Sequence, residues 1–183
     1  MKRVFLIFTL LFASVLTTAC INNFAVQELN NKAKEYLDEG KTEKAICRYK
    51  SSLDLDSSIF ETHYNLGVAY ISAKEYDEAV ETLKAAIKIN SEIADAYYSL
   101  GVALENIAFD KIDGDLENEE DTKKELTNEQ KEELSGILLE SIDNYNQYLA
   151  HNSQAKDKDK VIAHIEELNK ELIKYSPKEE DKD

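Results

Sequence analysis

The sequence predicts an all-α fold, a solenoid of about three helical hairpins closed by a C-terminal helix, and three observations carry that expectation. First, Tyr64-Asn65-Leu66-Gly67-Val68-Ala69 recurs thirty-four residues later as Tyr98-Ser99-Leu100-Gly101-Val102-Ala103, a period that marks stacked helical hairpins. Second, Gly67 and Gly101 interrupt apolar helical patterns, where glycine costs about 1 kcal/mol relative to alanine, so close approach of another helix has to compensate. Third, Ala79 and Ala86 follow with Val80, Leu83, Ile87 and Ile89 at helical spacing, so small residues face small residues across a hairpin.

The elements follow in chain order. Lys2-Arg3 and the apolar run Val4 to Leu16 are too short for a spanning helix and end in Thr17-Thr18-Ala19-Cys20, the pattern of a secretory signal peptide over residues 1–19. That end is similar to the lipobox of bacterial lipoproteins, with Thr17 where leucine is usual. The resemblance implies cleavage before Cys20, lipidation of Cys20 and a lipid-anchored linker over 20–25. Ordinary cleavage after Ala19, leaving a plain thiol, is the alternative. Acyl chains contribute about 0.8 kcal/mol per buried methylene, enough in combination to hold a protein on a membrane without a spanning helix. Ile21 stands where aspartate would signal inner-membrane retention in enteric bacteria, so the implied location is the bacterial cell envelope, with the outer membrane facing the periplasm favoured. Cys47, the other cysteine, reads as a small semi-buried packing residue on a second helix.

Hairpins are expected over about 26–58, 60–93 and 94–153. Ala73-Lys74-Glu75-Tyr76 is the turn of the second, and Glu75, Asp77 and Glu78 put negative charge at the start of the following helix, where the macrodipole favours it. Ser58 with Glu61 reads as a capping box. At this point the residues resemble the tetratricopeptide repeat family. Leu66-Gly67 and Leu100-Gly101 match its Leu-Gly pair, Ala79 and Ala86 its small residues on the second helix, and Tyr36 and Tyr70 its aromatic position; Lys32 and Tyr148 depart from the pattern. The resemblance implies a right-handed α-solenoid.

In the third hairpin the second-helix pattern resumes at Ser141, which implies about 28 inserted residues. The insertion, about 110–134, holds eleven acidic residues and four lysines, too polar to supply its own core, and is expected to be a mobile loop. Thr127-Asn128-Glu129-Gln130 reads as a capping box starting a long helix from about Asn128 to His151. Val161, Ile162, Ile165, Leu168, Leu172 and Ile173 then describe a capping helix over 157–175, and 176–183 a disordered tail.

A net charge of −15 argues against nucleic acid, whose phosphates require clustered Lys and Arg, and favours a basic partner. No phosphate loop, GxSxG elbow or catalytic cysteine context is present, and the three histidines lack metal-ligand spacing. Asp113-Gly114 with Glu120 only faintly resembles a calcium loop, because Phe109 and Lys111 occupy its opening positions. The expectation is therefore a non-enzymatic protein with no cofactor and no metal. By the family resemblance a partner-binding groove runs along the first helices of the hairpins and includes Asn30, Lys34, Tyr64, Val68, Ile71, Tyr98, Val102 and Glu105. It lacks the lysine, asparagine and arginine set with which chaperone-binding members hold a C-terminal carboxylate. The reading is a membrane-anchored adaptor that binds a peptide or helix of another envelope protein. The rivals are a surface-exposed ligand binder or antigen, and a hydrolase of envelope polymers with an unrecognised site.

Overall fold

The structure, a computed structural model, describes residues 23–116 and 126–176, and the side chains of 113–116 lie outside that description. The expected signal peptide with Cys20, the centre of the insertion and the expected tail from 177 therefore fall outside the described residues. Among those described there are seven helices and no strand: α1 (23–38), α2 (Thr42–Leu55), α3 (Phe60–Ala73), α4 (Tyr76–Ile89), α5 (Ala94–Leu116), α6 (Asn128–His151) and α7 (Lys158–Tyr175). Each packs on the next from α2 onward, and α3 also touches α5. Residues 23–25, expected in a linker, already belong to α1, where Val26 is buried and Gln27 donates to Asn23 Oδ1 one turn back at 3.2 Å.

The glycines permit the close approach that the periodicity implies, but they face large side chains and not the small residues expected across the hairpin. A Cβ on Gly67 would lie 2.5 Å from Leu83 Cγ, and one on Gly101 would lie 3.1–3.2 Å from the Tyr145 ring. Small residues thus let α3 meet α4 and α5 meet α6. Ala79 is fully buried in the second hairpin, and Ser141 takes its place in the third. Its hydroxyl is reconciled with burial by donating to the Gly101 carbonyl at 2.9 Å, which avoids the loss of about 1–3 kcal/mol that follows from an unsatisfied buried polar group. Lys32 departs from the pattern because α1 is the outermost helix of the first hairpin. It is exposed there and pairs with Glu35.

The core has two lobes. One joins Ala33, Ala45, Ile46 and Tyr49 of the first hairpin to Leu66, Tyr70, Leu83 and the near half of α5, at Leu100 and Leu104. The other joins the far half of α5 to α6 and α7 through Ile112, Leu134, Leu138, Tyr145 and Leu168.

That second lobe corrects the expectation of a loop at the start of 110–134, while the helix expected from about Asn128 is present. Alpha-helix continues through 116 and resumes at Asn128, so both ends of the insertion lengthen a helical hairpin. Ile112 and Leu134 are buried, and Lys111 Nζ meets Glu133 Oε1 at 2.8 Å across the pair. Net charge hid a sparse apolar stripe, and a helix requires only about three apolar residues in two turns to bury one face. The start of α6 does follow the capping box: Gln130 N–H donates to Thr127 Oγ1 at 3.2 Å and Thr127 N–H to Gln130 Oε1 at 2.9 Å.

The other expected capping box does not form. Ile59 is the N-cap of α3 and has no side-chain cap bond. Ser58 instead donates its N–H and its hydroxyl to Asp56 Oδ1, at 2.9 and 2.6 Å. An aspartate two residues back competes well for these donors because its carboxylate is charged, and the two bonds hold the Asp56 carboxyl below its ordinary range. Cys47 is also corrected: it is exposed, one residue beyond the buried Ala45 and Ile46 and so turned off the packed face of α2.

The turns of the first two hairpins share one conformation and differ in residue. Gly40 has φ +71°, and Lys74, thirty-four residues on, has φ +62°. A side chain in the left-handed region costs roughly 1–2 kcal/mol, whereas glycine adopts it freely. Lys74→Gly is expected to raise stability by up to about 1 kcal/mol, since greater unfolded-chain entropy offsets part of the relieved strain. Urea denaturation checks this through a higher midpoint at unchanged slope.

Candidate functional site

The residues expected to line the groove sit on α1, α3 and α5, and the structure divides them into two groups. In the first group Lys34 is exposed, and Val68 and Ile71 are half-buried. Asn30 bridges two hairpins by donating to Thr62 Oγ1 at 2.8 Å. Tyr64 is half-buried and stacked on Phe60, with its hydroxyl group partly buried and the ring centroids 6.0 Å apart. Burial pushes that hydroxyl up.

The second group is engaged by other side chains of this chain, although Tyr98 stays 39% exposed. Tyr98 lies edge-on against Tyr145 and Tyr148, with ring centroids 5.4 and 5.2 Å away. Glu105 Oε2 accepts from the Tyr145 hydroxyl at 2.7 Å and lies 2.8 Å from His164 Nε2 of α7. The Tyr145 and His164 rings complete the triangle, edge to face at 5.3 Å. Val102 packs against the same lobe. Tyr64 and Tyr98, thirty-four residues apart, therefore make different contacts. The cause lies on the second helices, where Leu83 and Ala86 of the second hairpin are replaced by Tyr145 and Tyr148 in the third. That replacement is the signal in the sequence that could have separated the two tyrosines.

Two hydroxyls of this cluster respond to alkali. The bond donated to Asp157, with burial, pushes Tyr148 up to about 12, and burial beside the Glu105 charge drives Tyr145 up as well. A hydroxyl whose folded value is raised contributes stability that is complete below its unfolded value, about 10, and that is lost as pH rises through the folded one. Helicity is therefore expected to weaken between about pH 10 and about pH 12, followed by circular dichroism, and Tyr148→Phe should flatten that dependence.

The histidines have separate partners. His63 Nε2 lies 2.9 Å from the Ser57 carbonyl, and His151 stacks on Tyr97 at 5.1 Å, so His151 and His164 do not meet across their turn. No group of three or more candidate ligands for a metal ion occurs among the described residues. No described helix is long and apolar enough to cross a membrane.

The arrangement defines a solenoid of helical hairpins whose repeats can be assigned. Residues 33–74 and 69–107 match the family model for the TPR repeat, and these segments carry tetratricopeptide repeats. Among solved structures it is similar to the first TPR of Spaghetti (RPAP3) bound to an HSP90 peptide, SRMEEVD, at 18% identity with a TM-score of 0.61, covering 81% of this chain and 93% of that one. It is also similar to the second TPR domain of human RPAP3 in complex with an HSP70 peptide, at 17% identity and TM-score 0.60, covering 79% and 98%. A third likeness is to the Sgt2 TPR domain from Aspergillus fumigatus, at 14% identity and TM-score 0.61, covering 86% and 88%. At these identities the likeness shows the fold. Comparison with curated protein sequences finds no match.

Proposed function

We propose that the protein is a non-enzymatic adaptor, held on a membrane of the bacterial envelope through Cys20, that binds a segment of another envelope protein along the first two hairpins. The observation that carries the binding surface is the contrast within the groove: Lys34 is exposed and Val68 and Ile71 keep part of their surface open, while Tyr98 and Glu105 are engaged by α6 and α7. The family supports the mode, since two of the similar TPR domains hold peptides of HSP90 and HSP70. The charge here favours a different peptide. Glu61 and Asp95 occupy the same position on α3 and α5 and are both exposed, and charges of that sign repel an acidic tail and attract a basic one. The anchor rests on the run from Lys2 to Cys20.

The test is capture from detergent-solubilised membranes by three forms of the full chain. Val68→Lys leaves a long side chain able to reach solvent from a half-buried site but sets a positive charge in the groove, so it should keep its melting temperature and lose most partner recovery. Cys20→Ala should abolish labelling by a fatty-acid probe and leave the detergent phase. Equal recovery by Val68→Lys would remove the groove as the binding site, and unchanged lipid labelling of Cys20→Ala would remove the anchor.

A further inference from the structure

Between α1 and α3, at the N-terminal end of the groove, lies a cleft of about 460 Å³ that no packing contact fills. Its apolar edge is Ile59 over the nearly buried Val26, and its polar wall is Asn23, Gln27, Asn30, Asn31, Asn65 and Glu61, with Gln27 donating to Asn23 Oδ1. No lysine or arginine lines it. Glu61 is exposed, and no ion pair engages its carboxylate among the described residues. Asn30 spends its amide on Thr62 Oγ1 at 2.8 Å, which fixes the carboxamide, and its Oδ1 is buried with no hydrogen-bond partner among the described residues. The cleft thus combines an apolar edge with carboxamides, whose carbonyl oxygens can accept from a cation, and one uncompensated negative charge.

A lysine or arginine side chain has the complementary form: an aliphatic stem, a cationic head, and three or five donors with no acceptor. We infer that this cleft is a subsite for one basic side chain of a bound peptide, with the stem against Val26 and Ile59 and the head between Glu61 and the carboxamides. This deepens the reading of the groove given above and rests on it. Glu61 supplies the charge and the carboxamides the orientation. Asp95, at the equivalent place one repeat on, would favour a second basic residue further along the same peptide.

The experiment uses the mature full chain and capped synthetic octapeptides in which Leu alternates with Lys, Arg or the uncharged isostere norleucine, followed by the side-chain amide signals of Asn30, Asn31 and Asn65 in NMR titrations. The Lys and Arg peptides should shift those signals, and replacing the basic residues by norleucine should weaken binding at least tenfold. Glu61→Gln, isosteric at an exposed site, should weaken the Lys peptide several-fold and leave the norleucine peptide unchanged. Norleucine and Lys peptides binding alike, or Lys binding that leaves the three amides unmoved, would overturn the inference. In either case a continued loss of binding in Val68→Lys would leave the groove standing, so the two failures are distinguishable. Free spermidine binding as tightly as the Lys peptide would assign the cleft to small cations and overturn the peptide-borne side chain.

Discussion

Tyr145→Ala is expected to destabilise the protein by about 3–5 kcal/mol, the range for truncating a buried aromatic. The side chain is 1% exposed and fills three roles. Its ring lies against Gly101, 3.1–3.2 Å from where a Cβ would stand; it packs edge-on against Tyr98 and His164; and its hydroxyl donates to Glu105. Removing it opens a cavity and strips the Glu105 carboxylate of one donor. For a chain of this length the loss corresponds to a fall in melting temperature of roughly 6–20 °C. Tyr145→Phe separates the roles, because it keeps the ring and removes only the hydroxyl, so a smaller loss of about 1–3 kcal/mol should remain. Thermal denaturation of both variants decides the matter. Equal, small losses would mean that the second lobe does not depend on this ring.

A second large effect comes from two glycines that look alike in the sequence, both inside helical patterns. Gly67→Leu should destabilise by about 1–3 kcal/mol, the usual result of overpacking, because even a first carbon would sit 2.5 Å from Leu83 Cγ. Helix propensity pulls the other way by about 1 kcal/mol, and the clash prevails because Leu83 is fully buried and has nowhere to move. Gly136→Ala should do the opposite. Nothing lies within 4 Å of a Cβ built there, so the propensity gain of about 1 kcal/mol stands alone. Urea midpoints moving in opposite directions confirm the pair; a stabilising Gly67→Leu would deny the close contact of α3 with α4.

Periodicity and caps could be read from the chain because both are local. Thirty-four residues separate Gly67 from Gly101 and Tyr64 from Tyr98, and the requirement for small residues where helices touch follows from geometry alone. The Thr127–Gln130 box likewise announces the start of α6, since its bonds join residues three apart. Where two local options compete, the sequence was less decisive. Ser58 has both Glu61 and Asp56 within reach, and only the path of the chain selects the aspartate.

Tertiary structure alone decided how the insertion and the groove are used. The acidic count over 110–134 describes how a segment meets water, but Ile112 and Leu134 are buried in the same cluster of α5, α6 and α7, and that burial supports helix at both ends. Family position put Tyr98 and Glu105 in the groove with Tyr64 and Val68. Their neighbours on α6 and α7 are 40 to 59 residues away in sequence, and no periodicity reports which surface a later helix covers. A linear pattern fixes which face of a helix is apolar; which apolar face is left open depends on the order in which helices stack, and that is a property of the folded chain.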